Sequence, residues 1–321
     1  PLDGPNPVLL RQLVDAKIMS KAWCEKHNVV DPQNYAAKEE SYAVRNTNGT
    51  GPFMLKSREP DVRTVLVANP RYWDRLDGNL TEIVYLPIKA DATRTAALTT
   101  GEVDLVLDPP TQDVPRLRRN PQVKIADGTE TRIVFLGFDQ WRDETPYANA
   151  RGRNPFKDKR VRQALYQAID VEAIKRATMR GLAVTTGSMI APEVNGWTED
   201  TAKRLPYDPD AARRLLAEAG YPGLELTLDC PNNRYINDEE ICQAIVAMWA
   251  RVGVKARLNA MPRATYFQKV QKFDTSAFLL GWATATFDGL YTLQSLVRSV
   301  DPRGGADGNF NLGKYSNPQV D

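Results

Sequence analysis

One histidine, His27, and three cysteines, Cys24, Cys230 and Cys242, are the whole supply of imidazole and thiol in these 321 residues. A Ser/His/Asp or Cys/His nucleophile would have to use His27. That residue sits in the polar run Cys24-Glu25-Lys26-His27-Asn28 with no Gly-flanked nucleophile nearby, and reads as a solvated or locally bonded side chain. Zinc-ligand spacing is absent, because Cys24 and His27 form a lone pair and the other cysteines lie far along the chain. Cys230 and Cys242 could pair only if the loop between them folds back, and the odd count argues against a full disulfide framework, so buried thiols are expected. Asp104 and Asp108 could imitate the two carboxylates of a glycosidase, but they lie along and just past one expected strand with no apolar pocket around them. No catalytic residue, metal ligand or cofactor is assigned.

Binding is better supplied than turnover. The turn Gly281-Trp282-Ala283-Thr284-Ala285-Thr286-Phe287-Asp288 joins a large aromatic, two hydroxyls and a carboxylate at the end of an apolar run. This is the mixture of apolar wall and few polar handles that small-molecule sites use. The loop Pro231-Asn232-Asn233-Arg234-Tyr235-Ile236-Asn237 offers Asn233 and Tyr235 in the same way. Plainer readings stand beside these: Trp282 as a plug on top of a core, and Asp288 as the N-cap of a helix over Gly289–Val297.

The elements that must carry those loops are clearest in the second half. Val161, Ala164, Leu165, Ala168 and Ile169 fall on one helical stripe after Asn154-Pro155-Phe156-Lys157-Asp158. Asp170 caps a second helix expected to end at Gly181, and Asp208-Pro209 opens a third that Gly220 stops. Leu224, Leu226 and Leu228 then alternate as a strand, 238–252 is a helix, Val254, Ala256 and Leu258 a strand, 262–272 a short helix and 275–280 a strand. Strand-helix-strand crossovers are right-handed and build a parallel sheet, whose ligand crevice lies beyond the carboxyl ends of the strands. Both candidate loops leave such ends.

The first half predicts strands at Arg63–Ala68, Glu82–Ile88, Val103–Leu107, Lys124–Ala126 and Thr131–Phe138, with a helix at Asp91–Thr100 stopped by Gly101. Gly49 and Gly51 suit a turn with positive φ feeding a strand, and Asn69-Pro70 a turn under which Tyr72 and Trp73 pack. The interdomain crossing is expected at Ile133–Asp139.

Length and composition set the frame. With 42% apolar and 26% charged residues, 321 residues suffice for two domains with their own cores. Forty-two basic against 40 acidic residues leave a net charge of +2, so no general basic field draws in nucleic acid, and the charges of Lys157–Arg162 are assigned to a solvated helix face. No stretch reaches the roughly 18 apolar residues of a membrane span. Pro1-Leu2-Asp3-Gly4 shows no initiating Met, charged n-region or apolar h-region, so any signal peptide is expected to lie outside this chain. At the other end Ser316-Asn317-Pro318 reads as the start of a helix.

Five motifs in order carry a resemblance: Gly49-Thr50-Gly51-Pro52-Phe53; Ala68-Asn69-Pro70-Arg71-Tyr72-Trp73; Gly101-Glu102-Val103-Asp104; the run from Pro155 to Leu165; and Tyr315-Ser316-Asn317-Pro318. Together they resemble the bacterial extracellular solute-binding proteins of family 5, which deliver oligopeptides, dipeptides, opines or nickel chelates to ABC importers. The resemblance implies an α/β, periplasmic-binding-protein-like two-lobe fold, with residues 1–132 an incomplete first lobe, 133–305 a nearly complete second lobe and 306–321 the start of a return segment. It implies a non-catalytic, monomeric receptor, periplasmic or tethered outside the membrane, capturing a small peptide-like, opine-like or other solute for an ABC permease. Peptide-binding members resemble Gly-Trp-x-x-Asp after the strand, the Asp pairing with the peptide ammonium; here that place is Ala285. Leu279 stands where oligopeptide receptors look to have an Arg, and Gly137 where an acidic side chain is expected. A peptide terminus bound in the usual mode would lose its buried partner. Asp288 is the substitute carboxylate if the loop takes another path, and Arg132 the candidate to hold an acidic group of the solute. A hydrolase or transferase acting on a similar solute, and an interaction or sensor module on the same fold, are the alternatives.

Overall fold

The computed structural model describes residues 5–15, 17–31, 33 and 40–321. These form two compact units: Gln12–Leu107, and the described part of Pro1–Arg11 together with Asp108–Asp321. Two short helices come first, α1 (Leu9–Gln12) and α2 (Lys21–Lys26), the latter capped by the Ser20 hydroxyl accepting from the Trp23 N–H. His27 is half-buried and stacks flat on Tyr42 with ring centroids 4.1 Å apart, the local bonding expected of it.

In the smaller unit β1 (Phe53–Glu59), β2 (Arg63–Ala68) and β3 (Glu82–Tyr85) make an antiparallel sheet in that order. Helix α3 (Asp91–Thr100) ends on Gly101 at φ 77°, a left-handed stop that costs glycine no Cβ clash. Three expectations fail here. Val103–Leu107 forms no strand, nor does Lys124–Ala126 in the larger unit: Leu105 is 75% exposed, and a β-prone run without a neighbour to bond stays irregular. Gly49 and Gly51 adopt no positive φ; the turn is held instead by Asn69, whose amide donates to the Gly51 carbonyl at 2.9 Å. Trp73 is 75% exposed and Tyr72 partly so, the two rings leaning on each other at 5.5 Å rather than packing beneath the turn.

The larger unit holds β4 (Arg132–Phe138), β5 (Glu225–Pro231), β6 (Lys255–Met261) and β7 (Ala277–Ala283) in the sheet order β4-β7-β5-β6. As the crossovers require, β5 runs parallel to both β6 and β7, while β4 closes one edge antiparallel to β7. Its helices are α4 (Val114–Leu117), α5 (Lys159–Gln167), α6 (Val171–Ala177), α7 (Glu199–Ala202), α8 (Pro209–Glu218), α9 (Asp238–Arg251), α10 (Arg263–Val270) and α11 (Gly289–Leu296). Caps do what the sequence asks: Asp158, Asp170 and Asp208 accept from backbone N–H groups at the starts of α5, α6 and α8. Helix α6 stops at Ala177, short of Gly181, whose N–H closes a turn onto the Lys175 carbonyl. Asn317 accepts from the Gln319 N–H with its side chain and from the Val320 and Asp321 N–H groups with its carbonyl.

Side chains alternate along β7, so Leu279 faces one core and Phe278, Leu280 and Trp282 the other. On the first face α5, α8 and α9 deliver Val161, Leu165, Leu216, Ile245 and Trp249. On the second, α10 and α11 deliver Tyr266, Val270 and Leu296. Helices on both faces of a mostly parallel sheet make this an α/β unit. Trp249 is fully buried and still satisfies its indole N–H on the Leu165 carbonyl at 2.9 Å. Gly137, where an acidic side chain was expected, lies under the ring of Phe278, the residue paired with it across β4 and β7. A Cβ at 137 would come within 2.2 Å of that ring.

Cys230 and Cys242 form a disulfide, which corrects the expectation of buried thiols. The intervening loop does fold back: α9 returns along β5, setting its second turn against the end of the strand. The bond closes the loop that carries Asn233 and Tyr235. Chain entropy for a closure of this size is about 2–4 kcal/mol. Reduction is expected to lower the melting temperature of the wild type and to leave a Cys230→Ser/Cys242→Ser variant unmoved; equal melting with and without reductant would refute a stabilising role.

Candidate functional site

The carboxyl ends of β5, β6 and β7 lie at one end of the larger sheet, and β4, being antiparallel, brings its first residue there too. Arg132 pairs with Ala283 and Ile133 with Trp282, so Arg132 stands beside the tryptophan-bearing turn. The guanidinium of Arg132 is held by Glu130 at 3.0 Å and lies 5.9 Å from the centre of the Tyr235 ring.

Tyr235 and Trp282 take opposite faces of β7. Tyr235 covers Gly281 so closely that a Cβ there would come within 2.6 Å of the ring, and its hydroxyl donates to the Gly281 carbonyl at 3.4 Å. Burial, the largest influence, pushes the Tyr235 phenol up from its usual pKa against the opposing pull of that bond and of Arg234 and Arg132. Trp282 is 9% exposed, set between Tyr291 and Phe310 at 5.2 and 5.0 Å. It does plug a core, yet its indole N–H finds no acceptor. A buried donor without a partner costs about 1–3 kcal/mol, and the buried indole N–H of Trp197 is in the same position.

The rest of the turn is built inward. The Thr284 and Thr292 hydroxyls bond each other at 2.7 Å, both fully buried. Thr286 is buried, its hydroxyl directed at the Asp288 carbonyl. Asp288 caps α11 through the Leu290 N–H at 2.9 Å and accepts from the Asn195 amide at 2.8 Å. That amide, then the Leu290 N–H, holds its carboxyl below the usual aspartate range. Arg11 also donates to the Thr286 carbonyl at 3.1 Å. Three of the expected ligand residues therefore brace the turn, and Ala285 and Phe287 are the side chains it exposes. Asn233 is likewise engaged, its side chain accepting from the Arg263 N–H at 2.7 Å.

Two residues that sequence reasoning passed over complete the picture. Arg234 lies over the Tyr235 ring at 5.0 Å, and with Arg263, Ala264, Phe267 and Gln271 it lines a cleft of about 370 Å³. Only the parallel register of β5 and β6 brings residues 234 and 263 together, so spacing gave no sign of it. The loop between is fixed by Asp238, which accepts from the N–H groups of Arg234 and Tyr235, both at 2.9 Å. Burial, outweighing those bonds, raises the Asp238 carboxyl. Among the described residues no group of three or more His, Cys, Asp or Glu side chains is placed to hold a metal. Asp104 and Asp108 share no strand, and Asp108 sits in the left-handed region.

Comparison with known proteins follows the same lines. Residues 2–303 match the family described as bacterial extracellular solute-binding proteins, family 5 Middle. Heme-binding protein A of Haemophilus influenzae is 28% identical over 294 residues, covering 89% of this chain and 50% of that protein. The glutathione-binding protein GsiB of Salmonella typhimurium is 26% identical over 279 residues, covering 85% and 51%. The chain thus spans about half the length of the curated relatives it matches. Among solved structures, the periplasmic binding protein DppA of Helicobacter pylori in complex with the peptide STSA superposes with a TM-score of 0.78 at 22% identity, covering 99% of this chain and 58% of that one.

Proposed function

Since the chain belongs to the bacterial extracellular solute-binding proteins of family 5, we propose that it is the solute-capturing part of a receptor that feeds an ABC permease. The observation that carries this reading is the buried, unpartnered N–H of Trp282 at the end where three parallel strands and Arg132 converge. A solute supplying an acceptor there gains a hydrogen bond that the empty protein lacks. The solute is small and peptide-like, opine-like or of a related kind. Its ammonium, if it has one, meets no carboxylate at Ala285, which is exposed, and Asp288 is engaged as a cap.

The lobe limits we assign are 1–132, 133–305 and 306–321, with Asp108–Arg132 lying against the second lobe. The receptor acts as a monomer, performs no catalysis and works outside the cytoplasm. The Cys230–Cys242 bond supports that location, because such bonds persist in oxidising compartments. No helix among the described residues is long and apolar enough to cross a membrane.

The test is mass spectrometry of small molecules released from the purified protein, followed by melting curves with each recovered solute. A bound solute is expected to raise the melting temperature by RT ln(1 + [L]/Kd) without product appearing. Turnover of the solute, lost on changing Asp104 or Asp108, would favour the hydrolase alternative instead.

A further inference from the structure

The dipeptide Asn-Gly occurs twice in the chain, at Asn48-Gly49 and at Asn195-Gly196. In such a pair the backbone nitrogen of the glycine can attack the preceding side-chain amide, because no Cβ stands beside that nitrogen. The reaction needs the side chain and the following N–H to be free to meet, and the fold treats the two pairs differently. Asn195 is held on three sides: its N–H donates to the Phe287 carbonyl at 3.0 Å, its carbonyl accepts from the Gly289 N–H at 2.8 Å, and its amide donates to Asp288 at 2.8 Å. Asn48 and Gly49 are both exposed, and among the described residues neither the Asn48 amide nor the Gly49 N–H has a hydrogen-bond partner. Gly49 borders open space, with no atom within 4 Å of where a Cβ would stand. The chain is fixed on either side of this pair, by the Asn46 amide on the Tyr42 carbonyl at 3.0 Å and by Asn69 on the Gly51 and Pro52 carbonyls at 2.9 and 2.8 Å.

We propose that Asn48 is a site of spontaneous succinimide chemistry on the folded protein, and that Asn195 is spared by its bonds. The Gly49 nitrogen, its proton lost to hydroxide, bonds to the Asn48 Cγ, and the amide nitrogen leaves as ammonia after taking a proton from water. Water then opens the ring at either carbonyl. Cleavage of the bond between Cγ and nitrogen leaves aspartate; cleavage at the other carbonyl leaves isoaspartate, with the main chain rerouted through Cγ. The balance is water in and ammonia out, with no change of oxidation state. Either product carries a new carboxylate at an open turn whose flanks stay pinned, so the modified chain keeps its fold. This inference stands apart from the receptor reading.

The test is peptide mapping by mass spectrometry over a time course, with the folded chain kept in warm, mildly alkaline buffer. The peptide bearing Asn48 is expected to gain the amide-to-acid mass as two separable products, aspartate and isoaspartate. The Asn195 peptide is expected to lag by about tenfold or more, because it must first open locally. In denaturant the two rates should converge. Gly49→Ala, at a position with open space and no positive φ, is expected to slow the Asn48 reaction about tenfold or more without moving the melting temperature, and Asn48→Asp to melt with the wild type. Equal rates at Asn48 and Asn195 in the folded chain, a lag of Asn195 that persists in denaturant, or aspartate without isoaspartate would overturn the proposal.

Discussion

Trp282→Ala is expected to lower stability by about 3–5 kcal/mol, the usual loss for a large aromatic cut from a packed core, and to abolish solute capture. The indole is 9% exposed and wedged between Tyr291 and Phe310, so truncation opens a hole that neither neighbour fills without leaving its own place. Because a destabilised protein would also bind poorly, Trp282→Phe separates the two roles. Phenylalanine keeps most of the apolar contact while removing the N–H that has no acceptor among the described residues, together with part of the fused ring. Its melting temperature should stay within a few degrees of wild type or rise, since the unpaired donor is gone, while solute affinity falls about fivefold or more for the lost hydrogen bond. Isothermal titration beside a melting curve checks both. An undiminished affinity in Trp282→Phe would remove the indole from the site.

Lys269→Ala is the second large loss. Asp229 is fully buried on β5 and accepts from the Thr275 hydroxyl at 2.7 Å and the Asn259 amide at 2.6 Å, with the Lys269 ammonium at 3.6 Å as its counter-charge. Stripping that ammonium away leaves a buried carboxylate with hydrogen bonds but no opposite charge, at a cost of about 3 kcal/mol. Lys269→Met, which keeps an apolar stem of similar length but gives up the ammonium 4.3 Å from the centre of the Tyr147 ring, should lose nearly as much, showing that charge rather than packing is at stake. Asp229→Asn made together with Lys269→Met should recover part of the loss. If the double variant melts no higher than the single, the pairing is not what holds β5 here.

The pH dependence of this network follows from its shifts. Burial works to lower the Lys269 pKa, but Asp229 and Asp274 outweigh it and hold the ammonium above its ordinary 10.5. A raised base stabilises the fold fully below 10.5 and loses that contribution as pH rises through its folded value. Asp274 is held below its ordinary 3.8, first by the Tyr147 hydroxyl and then by Lys269. Its contribution is present above 3.8 and lost as pH falls through the depressed value. The network therefore adds a constant amount between these limits.

The parallel core was legible in the sequence because each of its helices announces its own limits. Asp208 and Gly220 bracket α8, and the change from 3.6- to 2-residue spacing marks β5. The edge position of β4 was not legible, since alternation along Arg132–Phe138 gives a strand but not its neighbour or direction. Nor was the disulfide: the spacing of Cys230 and Cys242 fixes no distance until α9 is laid against β5. For the site, the strand-end rule found Trp282 and Tyr235, while the inward bonding of Thr284, Thr286 and Asn233 and the meeting of Arg234 with Arg263 depend on register. Trp73 shows the opposite failure, an aromatic assigned to a core that its surroundings do not provide.

The antiparallel seam between β4 and β7 also bears on how the molecule is born. Its strands come from opposite ends of the larger unit's sequence, so β4 leaves the ribosome long before anything exists for it to zip against. The β5–β6 crossover can assemble locally, but the seam must wait for the slow, entropically costly meeting of distant segments. Until then the apolar ribbon of Ile133, Phe135, Leu136 and Phe138 is an adhesive edge that the fold does not yet cover.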